Sequence, residues 1–338
     1  MKNTENFEKW YDDNCRLYTS CGITLKSLIE KILVKNKIPY HSIEYRIKTK
    51  DSFIDKCKKD KYKDPISEIT DVCGLRIIGY TNHDVKEIQA IIESEFEIDK
   101  DNSIDKSKIM KDDQVGYRSV HYVATFKQNR SKLTEYQEYK SIKFEIQIRT
   151  LLQHAWAEIE HDRNYKFSGE LPSEIKRRFY LVSGSLELLD REFEQISKDI
   201  DVYAKSIRDN TEKGILNESI NSTSLIEFLS IKFKDYNIEQ KDFNGSDKEI
   251  VLELGCFGVH TLEELDNLLS DDKVEKNISK FKCFNYLGIL RLAMMIKDPK
   301  RYFNEAWQQD WNGINSKEFE KIAAISPDIR KCLPFPIY

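Results

Sequence analysis

The sequence predicts an α+β chain: a mixed β-sheet flanked by helices over residues 1–205, then a mostly helical C-terminal domain over 206–338. Three observations carry this reading. Strand-like and helix-like segments interleave from residue 41 to 204, the pattern of a mixed sheet with helices against it. Residues Tyr117–Phe126 and Ile142–Ile148 alternate with period two. Past a polar stretch at 210–224, containing Gly214, Asn217 and Asn221, the strand signal fades and helical spacing dominates.

Taken in order, residues 5–37 read as two helices. Phe7, Trp10 and Tyr11 mark the first, Leu25, Leu28, Ile29, Ile32 and Leu33 the second, with Gly22 as the break between them. Residues 41–48 read as extended, and Ser52–Lys59 as the start of a helix. Val72–Tyr80 is a buried strand with Gly74 inside it, and Asp84–Phe96 a helix. The two alternating strands follow, then helices over 151–165 and 173–204. In the last helix Phe179, Val182, Leu186, Leu189, Phe193, Ile196, Ile200 and Tyr203 recur at 3,4 spacing, which suits either an oligomer seam or a core helix covering the sheet. Beyond the boundary, 223–236, 261–270, 281–297 and 315–325 read as helices and Glu249–Leu254 as a strand. Trp307 and Trp311, with Tyr302 and Phe303, suit an aromatic recognition surface or, in preference, the core of this small domain.

Composition narrows the function. Apolar residues make up 40% and charged residues 33% of 338, with 12 Gly and 7 Pro, so the chain is neither disordered nor fibrous. A net charge of −4 argues against gripping nucleic acid by charge alone. The deficit sits in residues 206–338, where 18 basic residues face 22 acidic ones. No apolar run is long enough for a membrane span, and no export signal is visible near the start. Seven cysteines without a Cys-x-x-Cys pair read as reduced thiols in the cytoplasm.

The chemistry gathers in four segments. In Ile142–Arg149 the polar face carries Glu145, Gln147 and Arg149, residue types that a solvent-facing strand does not favour but a floor beneath a charged ligand needs. In Gly116–Val123 one face carries Tyr117, Ser119 and His121: an aromatic to stack on a base, and polar groups to reach a hydroxyl or phosphate. Asp71 opens the strand that holds Arg76. Strict alternation points these two opposite ways unless Gly74 hosts a bulge. Asp71 and Glu145 together offer two hard oxygen ligands for Mg²⁺. Arg46 and Lys48, followed by Ser52 near a helix start, make a phosphate site, whereas lysines 56–63 read as a solvated helix. His154, Glu158 and His161 read as a polar helix face, since the two histidines are seven apart with no third ligand. Carboxylates, cations and an aromatic add up to nucleotide chemistry with Mg²⁺. No Walker loop and no Gly-x-Gly-x-x-Gly is present, which excludes the P-loop and Rossmann solutions at the motif level.

Five ordered motifs carry a family resemblance: Tyr45–Ser52, Asp71–Arg76, Gly116–His121, Glu145–Thr150, and His154–His161 with Tyr165–Lys166. In order and spacing they resemble the synthetase domain of the RelA/SpoT family, which makes the alarmone (p)ppGpp, over roughly residues 25–200. The resemblance implies a nucleotidyltransferase-like sheet and transfer of the β,γ-pyrophosphate of ATP to the 3′-hydroxyl of GDP or GTP, releasing AMP. It implies that Arg46, Lys48 and Ser52 hold the ATP phosphates and that Arg76 packs by the adenine. Asp71 and Glu145 would bind Mg²⁺, with Glu145 also activating the 3′-hydroxyl. Tyr117 would stack on the acceptor base, His121, Gln147 and Arg149 would order the acceptor and phosphates, and Lys166 would reach acceptor phosphates.

The family's upstream hydrolase motif is not found, so alarmone degradation is not expected. Residues 206–338 match none of its regulatory modules and are expected to house a regulatory ligand or partner site. Two other readings stand beside this one. A toxin-type relative would modify tRNA 3′ ends or adenosine nucleotides under control of the C-terminal domain. A catalytically inactive regulator would bind nucleotides without transfer.

Overall fold

A computed structural model of the chain describes residues 4–105, 119–166, 172–236, 238, 243, 245–278, 285–309, 311 and 313–337, with backbone alone at 105 and 161–166. It divides into two compact units, Met1–Ser197 and Lys198–Tyr338.

The first unit begins with α1 (Thr4–Lys35), a single helix where the sequence suggested two. Cys21, Leu25, Ile29 and Leu33 lie four apart and are fully buried, so one apolar stripe runs through the expected break. Gly22 has a different purpose from ending a helix. A Cβ there would fall 2.7 Å from Cδ2 of Tyr45, so glycine is what lets the helix approach the neighbouring strand. Gly22→Val tests this. Removing a helical glycine gains about 1 kcal/mol, but the clash and β-branching cost more, and a net loss of about 2 kcal/mol is expected in thermal or denaturant unfolding.

The sheet follows from strands β1 (Ser42–Ile47), β2 (Cys73–Gly79), β3 (Phe96–Asp105), β4 (Val120–Phe126) and β5 (Phe144–Thr150), in the order β1-β2-β5-β4-β3. Only β2 and β5 pair in parallel; the other neighbours are antiparallel, so the sheet is mixed as expected. Helices α2 (Lys50–Cys57), α3 (Pro65–Glu68), α4 (Asn82–Glu95), α5 (Gln128–Ser131), α6 (Leu151–Lys166) and α7 (Ser173–Glu212) complete the unit, with α7 running across the division at 197. One face of the sheet is apolar: Cys73, Leu75, Ile77, Phe144, Ile146, Ile148 and Ala124 are buried with α1 and with Ile88 and Ile92 of α4. Alternation then forces the intervening residues to the opposite face.

The structure settles one open point about the strands and adds a strand. Register between β1 and β2 is unbroken from Ser42↔Ile78 to Ile47↔Cys73, so Gly74 hosts no bulge, and Asp71 lies ahead of the strand. Strand β3 was not foreseen; its sequence, FEIDKDNSID, has little apolar alternation, and its register against β4 shifts between Asp99 and Ile104.

Helix α7 is tied to the end of β5. Thr150 Oγ1 donates to Asp190 Oδ2 at 2.9 Å, and burial raises the Asp190 pKa to about 6 against the opposing hydrogen bonds from Thr150 and Gln153. A carboxyl raised in the folded state contributes stability below its unfolded pKa and loses it as pH rises through about 6. Asp190→Asn, which keeps an acceptor for Thr150, is therefore expected to stabilise the unit by about 1–2 kcal/mol at pH 8 and to have no effect at pH 4, read by unfolding at both pH values.

The second unit is helical among its described residues: α8 (Ser222–Lys232), α9 (Asp247–Cys256), α10 (Leu262–Leu269), α11 (Asp272–Ile278), α12 (Tyr286–Lys297), α13 (Pro299–Arg301), α14 (Ser316–Ile325) and α15 (Ile329–Cys332). The expected strand at 249–254 is helix α9 instead. Ile250 and Leu254 are buried one turn apart, Asp247 and Glu249 favour a helix start, and Gly258 takes φ 80° just beyond the end. Glu253, fully buried, accepts from Arg291 Nε at 3.0 Å and from the Tyr302 hydroxyl at 2.9 Å. Tyr302 and Phe303 are buried, with Trp307, Trp311 and Phe335 packed on them, so the aromatic group is core.

Candidate active site

The sheet register assembles the polar side chains into two rows. Arg46 pairs with Gly74, Gly74 with Glu145, and Glu145 with Val123; one step along, Glu44 pairs with Arg76, Arg76 with Gln147, and Gln147 with His121. Paired residues share a face, so Arg46, Arg76, Glu145, Gln147 and His121 project together. Gly74 leaves open the place between Arg46 and Glu145.

Glu145 is the centre of a short chain of hydrogen bonds. Its Oε1 lies 2.8 Å from His121 Nδ1, and Gln147 Nε2 donates to it at 3.2 Å; Ser119 Oγ lies 2.8 Å from His121 Nε2. Burial pushes the Glu145 pKa up, but the bond and charge of His121 and the bond from Gln147 outweigh it, and the net shift is downward.

Asp71 is the centre of a second cluster. Its Oδ2 takes Lys56 Nζ at 2.6 Å and Lys48 Nζ at 3.1 Å. Burial again opposes ionisation, and Lys56 and Lys48 overcome it, so Asp71 too is held below its ordinary pKa. The same partnership raises Lys56 against the lowering effect of its burial. Both carboxylates are charged at neutral pH, and the Asp71 charge is felt at Glu145.

The donor chemistry fits Mg²⁺. Asp71 Oδ1 is buried with no hydrogen-bond partner, a hard oxygen left over after the lysines have taken the other. No group of three or more His, Cys, Asp or Glu is placed to hold a metal among the described residues. One or two carboxylates completed by substrate phosphates is the usual arrangement for this ion, and a donor set of the Asp71 and Glu145 kind fits it.

The remaining expected residues fall as follows. Arg46 is exposed on β1. Ser52 is not the helix start but its third residue; Thr49 caps α2, and its hydroxyl donates to Ser52 Oγ at 2.8 Å. Arg76 donates to Glu158 Oε1 at 2.8 Å, and Arg149 reaches the same oxygen at 3.4 Å. Burial lowers the Arg149 pKa, helped by the Arg76 charge and opposed by Glu158. Tyr117 lies outside the described residues, as does the side chain of Lys166.

Two participants were missed. Lys56 reads in sequence as part of a solvated helix, yet it is half-buried on Asp71; its position one turn after Ser52, on the same helix face, is the available signal. Glu158 reads in sequence as part of a polar helix face, and nothing local in sequence connects it to Arg76.

Known proteins share this region. Residues 45–170 match the family described as "Region found in RelA / SpoT proteins". GTP pyrophosphokinase YjbM of Bacillus subtilis is 32% identical over 166 residues, covering 48% of this chain and 74% of its own. GTP pyrophosphokinase YwaC of the same organism is 26% identical over 175 residues, covering 50% and 79%. The crystal structure of small alarmone synthetase 1 from Bacillus subtilis is similar at 27% identity with a TM-score of 0.48, over 57% of this chain and 98% of that one. The matched segment 45–170 lies within the first unit and contains both carboxylate clusters, and with YjbM aligned over most of its length the chain belongs to the RelA/SpoT family.

Proposed function

We propose that the chain is an ATP:nucleotide 3′-pyrophosphotransferase, a GTP pyrophosphokinase that makes (p)ppGpp from ATP and GDP or GTP with Mg²⁺. The observation that carries this reading is a pair of ionised carboxylates, Asp71 and Glu145, with the charge of the first felt at the second and Lys48 and Lys56 drawn to Asp71. YjbM and YwaC, both named GTP pyrophosphokinases, support the same chemistry.

In this reading Arg46, Lys48 and Ser52 bind the triphosphate of ATP, with Lys56 added to them, and Arg76 packs by the adenine. Asp71 and Glu145 would hold Mg²⁺, which would supply charge neutralisation for the transferring group. Glu145 accepts the proton of the acceptor 3′-hydroxyl, and His121, bonded to it, orients its carboxylate. His121, Gln147 and Arg149 order the acceptor and phosphates, Tyr117 stacks on its base, and Lys166 reaches its phosphates.

Residues 206–338 are proposed as a regulatory domain with its own ligand or partner; they lie beyond the family segment. The seam on α7 is proposed as a homo-oligomer contact, supported by the exposure of Val182, Leu189, Phe193 and Ile196. No helix among the described residues is long and apolar enough to cross a membrane. A cytoplasmic location is proposed, in keeping with the free thiols of Cys15, Cys21, Cys57, Cys73, Cys256 and Cys332.

The acceptor is tested by following label from the β,γ-pyrophosphate of ATP with GDP, GTP, ADP, ATP and bulk tRNA offered in parallel. Label on guanosine nucleotides is the expected result. Label on tRNA or adenosine nucleotides would replace the alarmone reading with the toxin-type one.

A further inference from the structure

Glu158 has a place in the site that its exposed position on α6 does not suggest. One of its oxygens, Oε1, faces Arg76 Nη1 at 2.8 Å, Arg149 Nη2 at 3.4 Å and His154 Nδ1 at 3.6 Å. The two arginines come from the adjacent parallel strands β2 and β5, and like charges so placed repel. Among the described residues, Glu158 is the one carboxylate within ion-pair distance of either of them. Arg149 needs it most, being 7% exposed with an Nε that has no hydrogen-bond partner. His154 does not substitute for a cation here, because burial and then the charges of Arg149 and Arg76 lower its pKa and keep it neutral. Glu44, paired across from Arg76 on β1, adds negative potential near Arg149 without bonding to it.

An isolated exposed ion pair is worth little. A single carboxylate oxygen shared by two guanidiniums, one of them buried, is a different case: it fixes the distance between two cations that would otherwise separate. We propose that Glu158 is a positioning residue that holds Arg76 and Arg149 at a set spacing, so that the donor and acceptor nucleotides dock in register. The inference rests on the function proposed above, which gives Arg76 to ATP and Arg149 to the acceptor side. Glu158 touches no reacting atom in that scheme and acts through the two arginines.

The test uses the full chain and initial rates against ATP and acceptor concentration for wild type, Glu158→Gln, Arg76→Ala and the double variant. Glu158→Gln is expected to raise the KM for ATP about tenfold while kcat stays within about twofold, because binding geometry rather than the reacting centre is disturbed. In the Arg76→Ala background the same substitution is expected to change that KM by less than about twofold, since the partner it acts through is gone. An unchanged KM in Glu158→Gln, in a protein that turns over, would overturn the positioning role and leave the proposed function standing. An equal tenfold loss in both backgrounds would also overturn it, as an effect that does not pass through Arg76. A wild-type chain that transfers no label to any acceptor would remove the function and this inference together.

Discussion

Glu145→Gln is expected to lower pyrophosphate transfer by about a thousandfold or more, with ATP affinity changed by only a few-fold. The amide keeps an oxygen in position for His121 and Gln147, whose bonds to Oε1 are 2.8 and 3.2 Å, so the local fold has little reason to move. What disappears is a negative charge and the only good proton acceptor in that row. The wild-type residue is well suited to lose nothing at neutral pH, because His121 and Gln147 outweigh the effect of its burial and hold it ionised. Steady-state rates and titration with a non-transferable ATP analogue check the two halves of the expectation. Turnover within tenfold of wild type would take Glu145 out of its assigned role.

Asp71→Asn is the second large effect, expected at about a hundredfold in rate together with a rise of about tenfold in the Mg²⁺ concentration needed for half-maximal activity. Asp71 has two duties that an amide cannot share. Its Oδ2 neutralises Lys48 and Lys56, and its buried Oδ1 is the unused hard oxygen that a metal would take. Asparagine leaves two ammonium groups facing a neutral side chain and removes the ligand as well. Rate against Mg²⁺ concentration separates this from a simple loss of ATP binding. A lower rate with an unchanged Mg²⁺ midpoint would mean that Asp71 serves the lysines alone. The depressed pKa values of Asp71 and Glu145 also set a sign: both stay ionised below the ordinary carboxylate range, so the acid limb of activity should fall below that range too.

Much of the first unit was readable because its chemistry rides on alternation. Once Phe144, Ile146 and Ile148 are committed to the core, Glu145, Gln147 and Arg149 have to share the other face, and the same logic places His121 beside them. What failed was information carried by three-dimensional neighbours. Gly22 looks like a helix break in one dimension, and only the nearness of Tyr45 gives it another reason to be glycine. The run from Ile250 to Leu254 is too short for periodicity to separate strand from helix, and the deciding fact, a buried Glu253 matched to Arg291 and Tyr302, comes from residues 38 and 49 positions away. Lys56 and Glu158 were undervalued for the same reason: a charged residue on a helix is usually solvated, and the partners that say otherwise, Asp71 and Arg76, sit on or just before β2. Strand β3 had no apolar pattern to announce it.

On the proposed chemistry, this polar sheet face moves a pyrophosphoryl group as one unit. Phosphorus NMR of the intact chain with Mg²⁺, ATP and GDP tests it most directly, because the fate of ATP names the reaction. The expected result is AMP appearing one-for-one with a new 3′-diphosphate on the guanosine nucleotide, with no ADP. ADP with orthophosphate, or ADP with a singly phosphorylated acceptor, would contradict the claim and make the site a phosphatase or an ordinary kinase instead.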